Sequence, residues 1–153
     1  MKRYTFKVPI FGDVKITLVQ VEGREDKKAV LNLLKVHHIT EKDDIDYVMD
    51  NVDNKEYDMR DGGDTFYRLI QREMVVIFYP FSSDEAREDV MGHEKRHVED
   101  RLLNFLHVDD IESAGLLAGF LSKEFYKFKT KILSVVLNRE FNKFKKQTDE
   151  NDN

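Results

Sequence analysis

Residues 74–81 read MVVIFYPF, an almost unbroken apolar run that is rich in β-branched and aromatic side chains. An apolar run this short is more often a buried strand than a helix. This run is the strongest constraint on the fold. It requires a sheet, whereas the apolar residues that follow it repeat with the period of a helix. Pro80 cannot donate a hydrogen bond to a neighbouring strand and marks the end of the run.

The N-terminal residues and residues 65–70 alternate between the two faces of an extended chain, as half-buried strands do. The first alternation is interrupted at Gly12-Asp13 and then resumes, a pattern that predicts a β-hairpin. Pro9 lies within it and predicts that the first strand is at an edge of the sheet or bulged. The apolar positions of this hairpin are Tyr4, Phe6, Val8, Ile10, Val14, Ile16 and Leu18.

Helical spacing of apolar residues follows in four segments: residues 26–38, residues 40–49, residues 82–106 and a long segment from residue 109. Ser82 with Glu85, and Asp109 with Glu112, are capping signatures at the starts of the last two. The order of elements predicts an α+β fold, in which a small, mostly antiparallel sheet packs against these two helices. The apolar seam of the last helix is Ile111, Ala114, Ala118, Leu121, Phe125, Phe128, Ile132 and Val135.

The length of 153 residues fits one domain, and we expect residues 1–145 to form it, with a polar, disordered tail at 146–153. The chain has no cysteine, which excludes a disulfide scaffold and any thiolate metal site. Its net charge of −5, from 25 basic and 30 acidic residues, argues against a nucleic-acid partner. No apolar run reaches the length of a membrane span, so the sequence predicts a soluble cytoplasmic protein without membrane contact.

One motif carries chemistry: His93-Glu94-Lys95-Arg96-His97, an HExxH within the third predicted helix. Residues four apart on a helix lie one turn above each other, so the two imidazoles can bind one zinc ion. The glutamate beside the first histidine can reach a water molecule on that metal and accept its proton as general base. The motif therefore predicts His93 and His97 as zinc ligands and a catalytic role for Glu94.

A strand followed by a capped helix with HExxH resembles the active-site region of zincin metallopeptidases, over roughly residues 65–125. The resemblance implies a zincin-like fold, a zinc cofactor and a peptide or protein substrate. It also implies that the strand before the motif helix, residues 74–81, pairs with an extended substrate. The segment that begins Glu112-Ser113-Ala114 resembles the third-ligand helix of small gluzincins, which implies Glu112 as the third zinc ligand.

Helix geometry leaves Glu124 as an alternative third ligand. The motif helix climbs about 13 Å from His97 to residue 106, so a helix returning from residue 110 regains that height only near residue 119. On this count Glu112 lies too low, and Glu124 lies too high but a little closer. Asp100 shares the face of the two imidazoles and is predicted to hold a ligand histidine in place, to be a ligand itself, or to pair with a neighbouring arginine.

Two functions from different classes follow. The first is a small zinc metallopeptidase. The second is a non-catalytic module, either a degenerate zincin that binds a protein partner or a homodimer built on the long last helix. Lys95 and Arg96 favour the second, since these two positions are usually uncharged in active zincins. Metal content and the effect of Glu94→Gln distinguish the two functions.

Overall fold

The computed structural model describes residues 1–9, 13–53, 61–68 and 70–151, with side chains up to residue 134. Within these residues the order is two strands and two α-helices, followed again by two strands and two α-helices, as the sequence patterns predict. The elements are β1 (Lys2–Val8), β2 (Val14–Gln20), α1 (Lys27–Val36), α2 (Lys42–Asp53), β3 (Gly63–Arg68), β4 (Glu73–Phe78), α3 (Asp84–Leu106) and α4 (Ile111–Asn151). The predicted α+β fold is confirmed.

The four strands form one sheet in the order β1-β2-β4-β3. β1 and β2 are antiparallel with Val8 opposite Val14, which confirms the predicted hairpin, and β3 and β4 are also antiparallel. Among the described strands only β2 and β4 pair in parallel, so the sheet is mostly antiparallel as expected. Pro9 follows β1, and β1 is an edge strand, in agreement with the prediction.

The apolar run lies at the centre of the sheet rather than at its rim. β4 pairs with β2 on one side and β3 on the other, so it has no open edge for a substrate. The predicted pairing of residues 74–81 with a peptide is therefore wrong, and β3 is the edge strand next to the motif helix. Run length and apolar character indicate a strand that is buried on both faces, but they do not indicate whether both of its edges are paired.

Helices cover the sheet on both faces, which explains why β4 is apolar from Met74 to Phe78. Val76 and Phe78 pack with α3 and α4 in one core, while Val75 and Ile77 pack with α1 and α2 in another. Successive side chains of a strand point to opposite faces, so a strand between two helical layers needs apolar residues on both. The layer formed by α1 and α2 adds to the two-helix packing that the sequence predicts.

Both long helices are capped one residue later than predicted, at Ser83 and Asp110. The Ser83 hydroxyl accepts a hydrogen bond from the Ala86 amide, while Ser82 donates its amide and hydroxyl to the Asp61 carboxylate. Ser82 is therefore used to tie the turn before β3 to the start of α3. The Asp110 carboxylate likewise accepts the Ser113 amide at the start of α4.

The apolar seam of α4 is shorter than predicted. Ile111 is 91% exposed, whereas the buried side chains of this helix begin at Leu117. The Val135 side chain lies outside the described residues. The α4 backbone continues to Asn151, and of the predicted tail at 146–153 the last two residues lie outside the description. In the part of the chain that the structure describes, no helix is long and apolar enough to cross a membrane.

A buried histidine links α1 to the sheet. His37 is 1% exposed; its Nδ1 lies 3.1 Å from a Glu73 carboxylate oxygen, and its Nε2 lies 3.3 Å from an Arg3 guanidinium nitrogen. A guanidinium can only donate, so Nε2 accepts and Nδ1 carries the proton of a neutral imidazole. Burial lowers the pKa of His37 below its usual range, and the hydrogen bond to Glu73 offsets this only in part.

We expect the free energy of unfolding to fall as the pH drops from 7 to 5. The pKa of His37 is lower in the folded chain than in the unfolded chain, so only the unfolded chain gains the proton just below the ordinary pKa of 6.5. The stability contribution is therefore complete above that pH and decreases below it. His37→Gln should reduce this pH dependence, as measured by urea unfolding at a series of pH values. His107→Gln, at an exposed histidine, is the control, and equal slopes for His37→Gln and the parent protein would contradict the prediction.

Candidate metal centre

A carboxylate interrupts the buried stripe of α3. Met91, Val98 and Leu102 are buried on this helix, and Glu94 lies among them with 4% of its surface exposed. A buried carboxylate is costly unless it accepts hydrogen bonds. The Thr65 hydroxyl of β3 donates to Glu94 Oε2 at 2.6 Å. The motif glutamate is thus oriented by the edge strand of the sheet.

The two motif histidines meet in front of this carboxylate. His93 Nε2 and His97 Nε2 lie 2.9 Å apart, and the two rings are almost perpendicular at 89°. One ligand atom each from His93, Glu94 and His97 lies within 4.8 Å of the other two. Both imidazoles are exposed, so the group is open to solvent on one side and closed by the buried carboxylate on the other.

β3 forms the opposite wall of the site through alternate residues. Gly63 and Thr65 point toward α3, and a Cβ atom at Gly63 would lie only 2.7 Å from Glu94 Cγ. Asp64 points to the other face of the sheet, where its carboxylate accepts from the Tyr79 hydroxyl. Glycine at position 63 is therefore what lets Glu94 approach the strand closely enough to bond Thr65.

Lys95 lies on a different face of α3 from the imidazoles. Its Nζ donates to the Ser122 hydroxyl of α4 at 3.0 Å. Two residues along a helix correspond to about 200° of rotation, so a side chain that reaches α4 points away from His93 and His97. The charge at this position, unusual for a zincin, therefore does not lie among the candidate ligands.

The same geometry keeps α4 from supplying the third ligand. Ion pairing of Lys129 with Glu88, together with the Lys95–Ser122 hydrogen bond, shows that α4 runs antiparallel to α3 and brings Glu124 near the height of His93. Glu124 nevertheless faces β1, where it accepts from Tyr4 at 2.5 Å and from Lys127 at 2.6 Å.

β1 and β3 are opposite edges of the sheet, about 14 Å apart at 4.8 Å per strand. Burial alone would raise the pKa of Glu124, but the hydrogen bonds from Lys127 and Tyr4 hold it below its usual value. Glu124 therefore lies near the height of His93, although the helix lengths predict that it lies too high. The direction of its side chain excludes it from the imidazole pair.

Glu112 and Asp100 also stay apart from the imidazole pair. By the antiparallel register of the two helices, Glu112 lies level with residue 105, about 12 Å beyond His97. Its side chain is exposed in the first turn of α4. Asp100 is exposed as well and lines a neighbouring groove that His93 and Arg96 also line. Among the described residues, no hydrogen bond joins Asp100 to either histidine, and neither acidic residue belongs to the His93–Glu94–His97 group.

Four residues around the site did not stand out in the sequence: Gly63, Thr65, Tyr67 and Arg101. The first three are alternate residues of β3 on the face toward α3, and Arg101 lies one turn after His97 with its guanidinium carbon 4.5 Å from the Tyr67 ring centroid. Together with the motif they line a cavity of about 260 Å³ between β3 and α3. The period-two alternation of this strand indicates which residues share one face. A search of that face for small and polar residues, rather than for apolar ones, could have identified Gly63 and Thr65.

The donor set fits a zinc ion. Zinc prefers imidazole and carboxylate ligands at about 2.0–2.2 Å in a tetrahedral arrangement, which corresponds to about 3.3 Å between two ligand atoms. The 2.9 Å between the imidazole nitrogens is close to that spacing, and the Glu94 carboxylate is within reach. Compared with family models, curated proteins and solved structures, the chain matches none of them. The resemblance to zincins therefore stays a prediction.

Proposed function

We propose that this protein is a zinc-dependent peptidase, in which His93 and His97 hold the metal and Glu94 is the general base. The observation that carries the proposal is the group of two imidazole nitrogens and one carboxylate oxygen within 4.8 Å of one another, at the wall of a cavity. When bound, zinc supplies a Lewis acid that polarises a carbonyl group and lowers the pKa of water to about 7.

The chain's own residues contribute orientation and proton transfer. Glu94 is fixed by the Thr65 hydroxyl on Oε2, which leaves Oε1 to accept a proton. β3 offers a second element: of the strands described, it pairs with β4 alone, so its outer edge can add an extended peptide as a further strand. Main-chain hydrogen bonds of that kind fix a peptide regardless of its sequence.

Glu94→Gln tests the proposal. Glutamine keeps the size of the side chain and can still accept from Thr65, but it cannot take a proton. We expect about one equivalent of zinc to stay bound while hydrolysis of an unstructured peptide falls by about 10²–10⁴-fold. Zinc is measured by elemental analysis and cleavage by mass spectrometry. Glu99→Gln, the same change on the same helix, is the control and should change neither quantity.

A second candidate function is a non-catalytic metal-binding module. The burial of Glu94 favours it, because a carboxylate held beside two imidazoles can itself be a ligand rather than a base. The same variant separates the two functions. If Glu94→Gln loses zinc, and the parent protein with one equivalent of zinc cleaves no peptide, the peptidase proposal is wrong and the binding module is favoured.

A further inference from the structure

The cavity beside the candidate metal centre is lined by an arginine side chain that packs over an aromatic ring. Arg101 follows His97 by four residues on α3, and its guanidinium carbon lies 4.5 Å from the centroid of the Tyr67 ring. The cavity of about 260 Å³ is lined by this pair and by His93, Glu94 and His97. The Arg101 guanidinium group and the two imidazoles therefore line the same cavity, and Arg101 lies about one helical turn beyond His97.

Arg101 has no acidic partner within the described part of the chain. No carboxylate there lies within ion-pair distance of its guanidinium group, and the side chain is exposed. The two acidic residues that line the cavity have hydrogen-bond donors other than Arg101, since Glu94 Oε2 accepts from Thr65 and Asp64 accepts from Tyr79. Stacking on an aromatic face orients a guanidinium group while leaving its in-plane N–H groups able to donate.

We propose that Arg101 binds the free C-terminal carboxylate of a peptide, so that the protein removes residues from the C-terminal end of short peptides. This inference rests on the proposed function and specifies its substrate class. A guanidinium group donates two parallel hydrogen bonds to a carboxylate. The described residues that line the cavity include one arginine and no lysine, which matches a single negative charge better than the double charge of a phosphate.

The spacing along α3 limits the length of the fragment released. His97 and Arg101 are separated by about 6 Å along the helix axis. An extended peptide advances by about 3.3 Å per residue, so the carboxylate bound by Arg101 lies about two residues from the bond next to the imidazoles. The selected substrates are those that end within about two residues of the cleaved bond.

Binding rather than turnover provides the first test. The probes are N-acetyl-trialanine with a free carboxylate and the same peptide as its C-terminal amide, titrated at constant ionic strength without added zinc. The Arg101 Nε–H signal in NMR spectra reports binding. We expect the acid to bind at least about tenfold more tightly than the amide. Arg101→Met, which keeps contact with Tyr67, should remove that preference, whereas Arg96→Met should keep it.

Three outcomes overturn the inference: equal binding of acid and amide, a preference that survives Arg101→Met, or tighter binding of inorganic phosphate than of the acid. The zinc-loaded protein then separates this inference from the function on which it rests. Equal cleavage of acid and amide would overturn the carboxylate site but support the peptidase. A preference for the acid in binding, without cleavage of either peptide, would support the carboxylate site and overturn the peptidase.

Discussion

Zinc added to the purified protein should raise its melting temperature, and His97→Ala should remove most of that increase. A ligand that binds only the folded chain stabilises it by about 2.7 kcal/mol when present at 100 times its dissociation constant. For a chain of this size, that corresponds to about 5–10 °C. Structural zinc sites with four ligands bind with about 10–16 kcal/mol, so the loss of one ligand should weaken zinc binding by roughly 10²–10³-fold.

The effect of His97→Ala is expected only when zinc is present. His97 is exposed, and its contact is with His93 on the same helix, so the melting temperature of the zinc-free variant should match that of the parent protein. Arg96→Ala removes an exposed side chain of the same helix that is not a zinc ligand, and it should keep the full zinc response. An equal zinc response in His97→Ala and the parent protein would exclude His97 as a ligand.

The elements of the fold could be predicted because each has a local signal. The alternation around Gly12-Asp13 depends on neighbouring residues, and so does the helical spacing that contains His93 and His97. The same holds for the motif itself, since residues four apart on any helix share a face. These predictions needed no information about which elements pack together.

Sheet order and the direction of the Glu124 side chain could not be predicted, because both depend on contacts between distant residues. Period and composition identify residues 74–81 as a buried strand, but not whether its neighbours leave it an edge. Helix length gives the height of Glu124 only roughly and says nothing of its direction, which follows from how α4 packs against β1. The cap at Ser83 differs from the predicted one for the same reason, since Ser82 bonds a residue before β3.

The close approach of β3 to α3 could not be predicted either, although the residues that allow it are visible in the sequence. The sequence pattern at Gly62-Gly63 is typical of a turn, because paired glycines usually mark turns. In the structure Gly63 is the first residue of β3, and its missing side chain creates the space that Glu94 occupies. A glycine needed for a close approach cannot be told from a turn glycine without knowing what lies opposite.

Gly63→Ala should therefore displace the general base and reduce hydrolysis by about 10²-fold or more, since a shift of about 1 Å in a catalytic group has an effect of that size. The added Cβ would lie 2.7 Å from Glu94 Cγ and 3.2 Å from the Ile77 carbonyl oxygen. The clash is with the stem of the Glu94 side chain and with the backbone of β4, so it can be relieved only if Glu94 changes its χ1 angle or β3 shifts. Overpacking of this kind also lowers the free energy of unfolding by about 1–3 kcal/mol.

Gly62→Ala is the matched control, because, of the atoms in the described part of the chain, a Cβ there would meet Tyr79 Cδ2 alone, at an ordinary 3.8 Å. It should leave hydrolysis and stability nearly unchanged. Zinc stoichiometry should survive in both variants if the exposed imidazoles bind the metal and Glu94 acts as a base. Loss of zinc from Gly63→Ala alone would instead indicate that the displaced carboxylate is a ligand. Unchanged hydrolysis together with unchanged stability in Gly63→Ala would mean that the contact between β3 and Glu94 does not position the site.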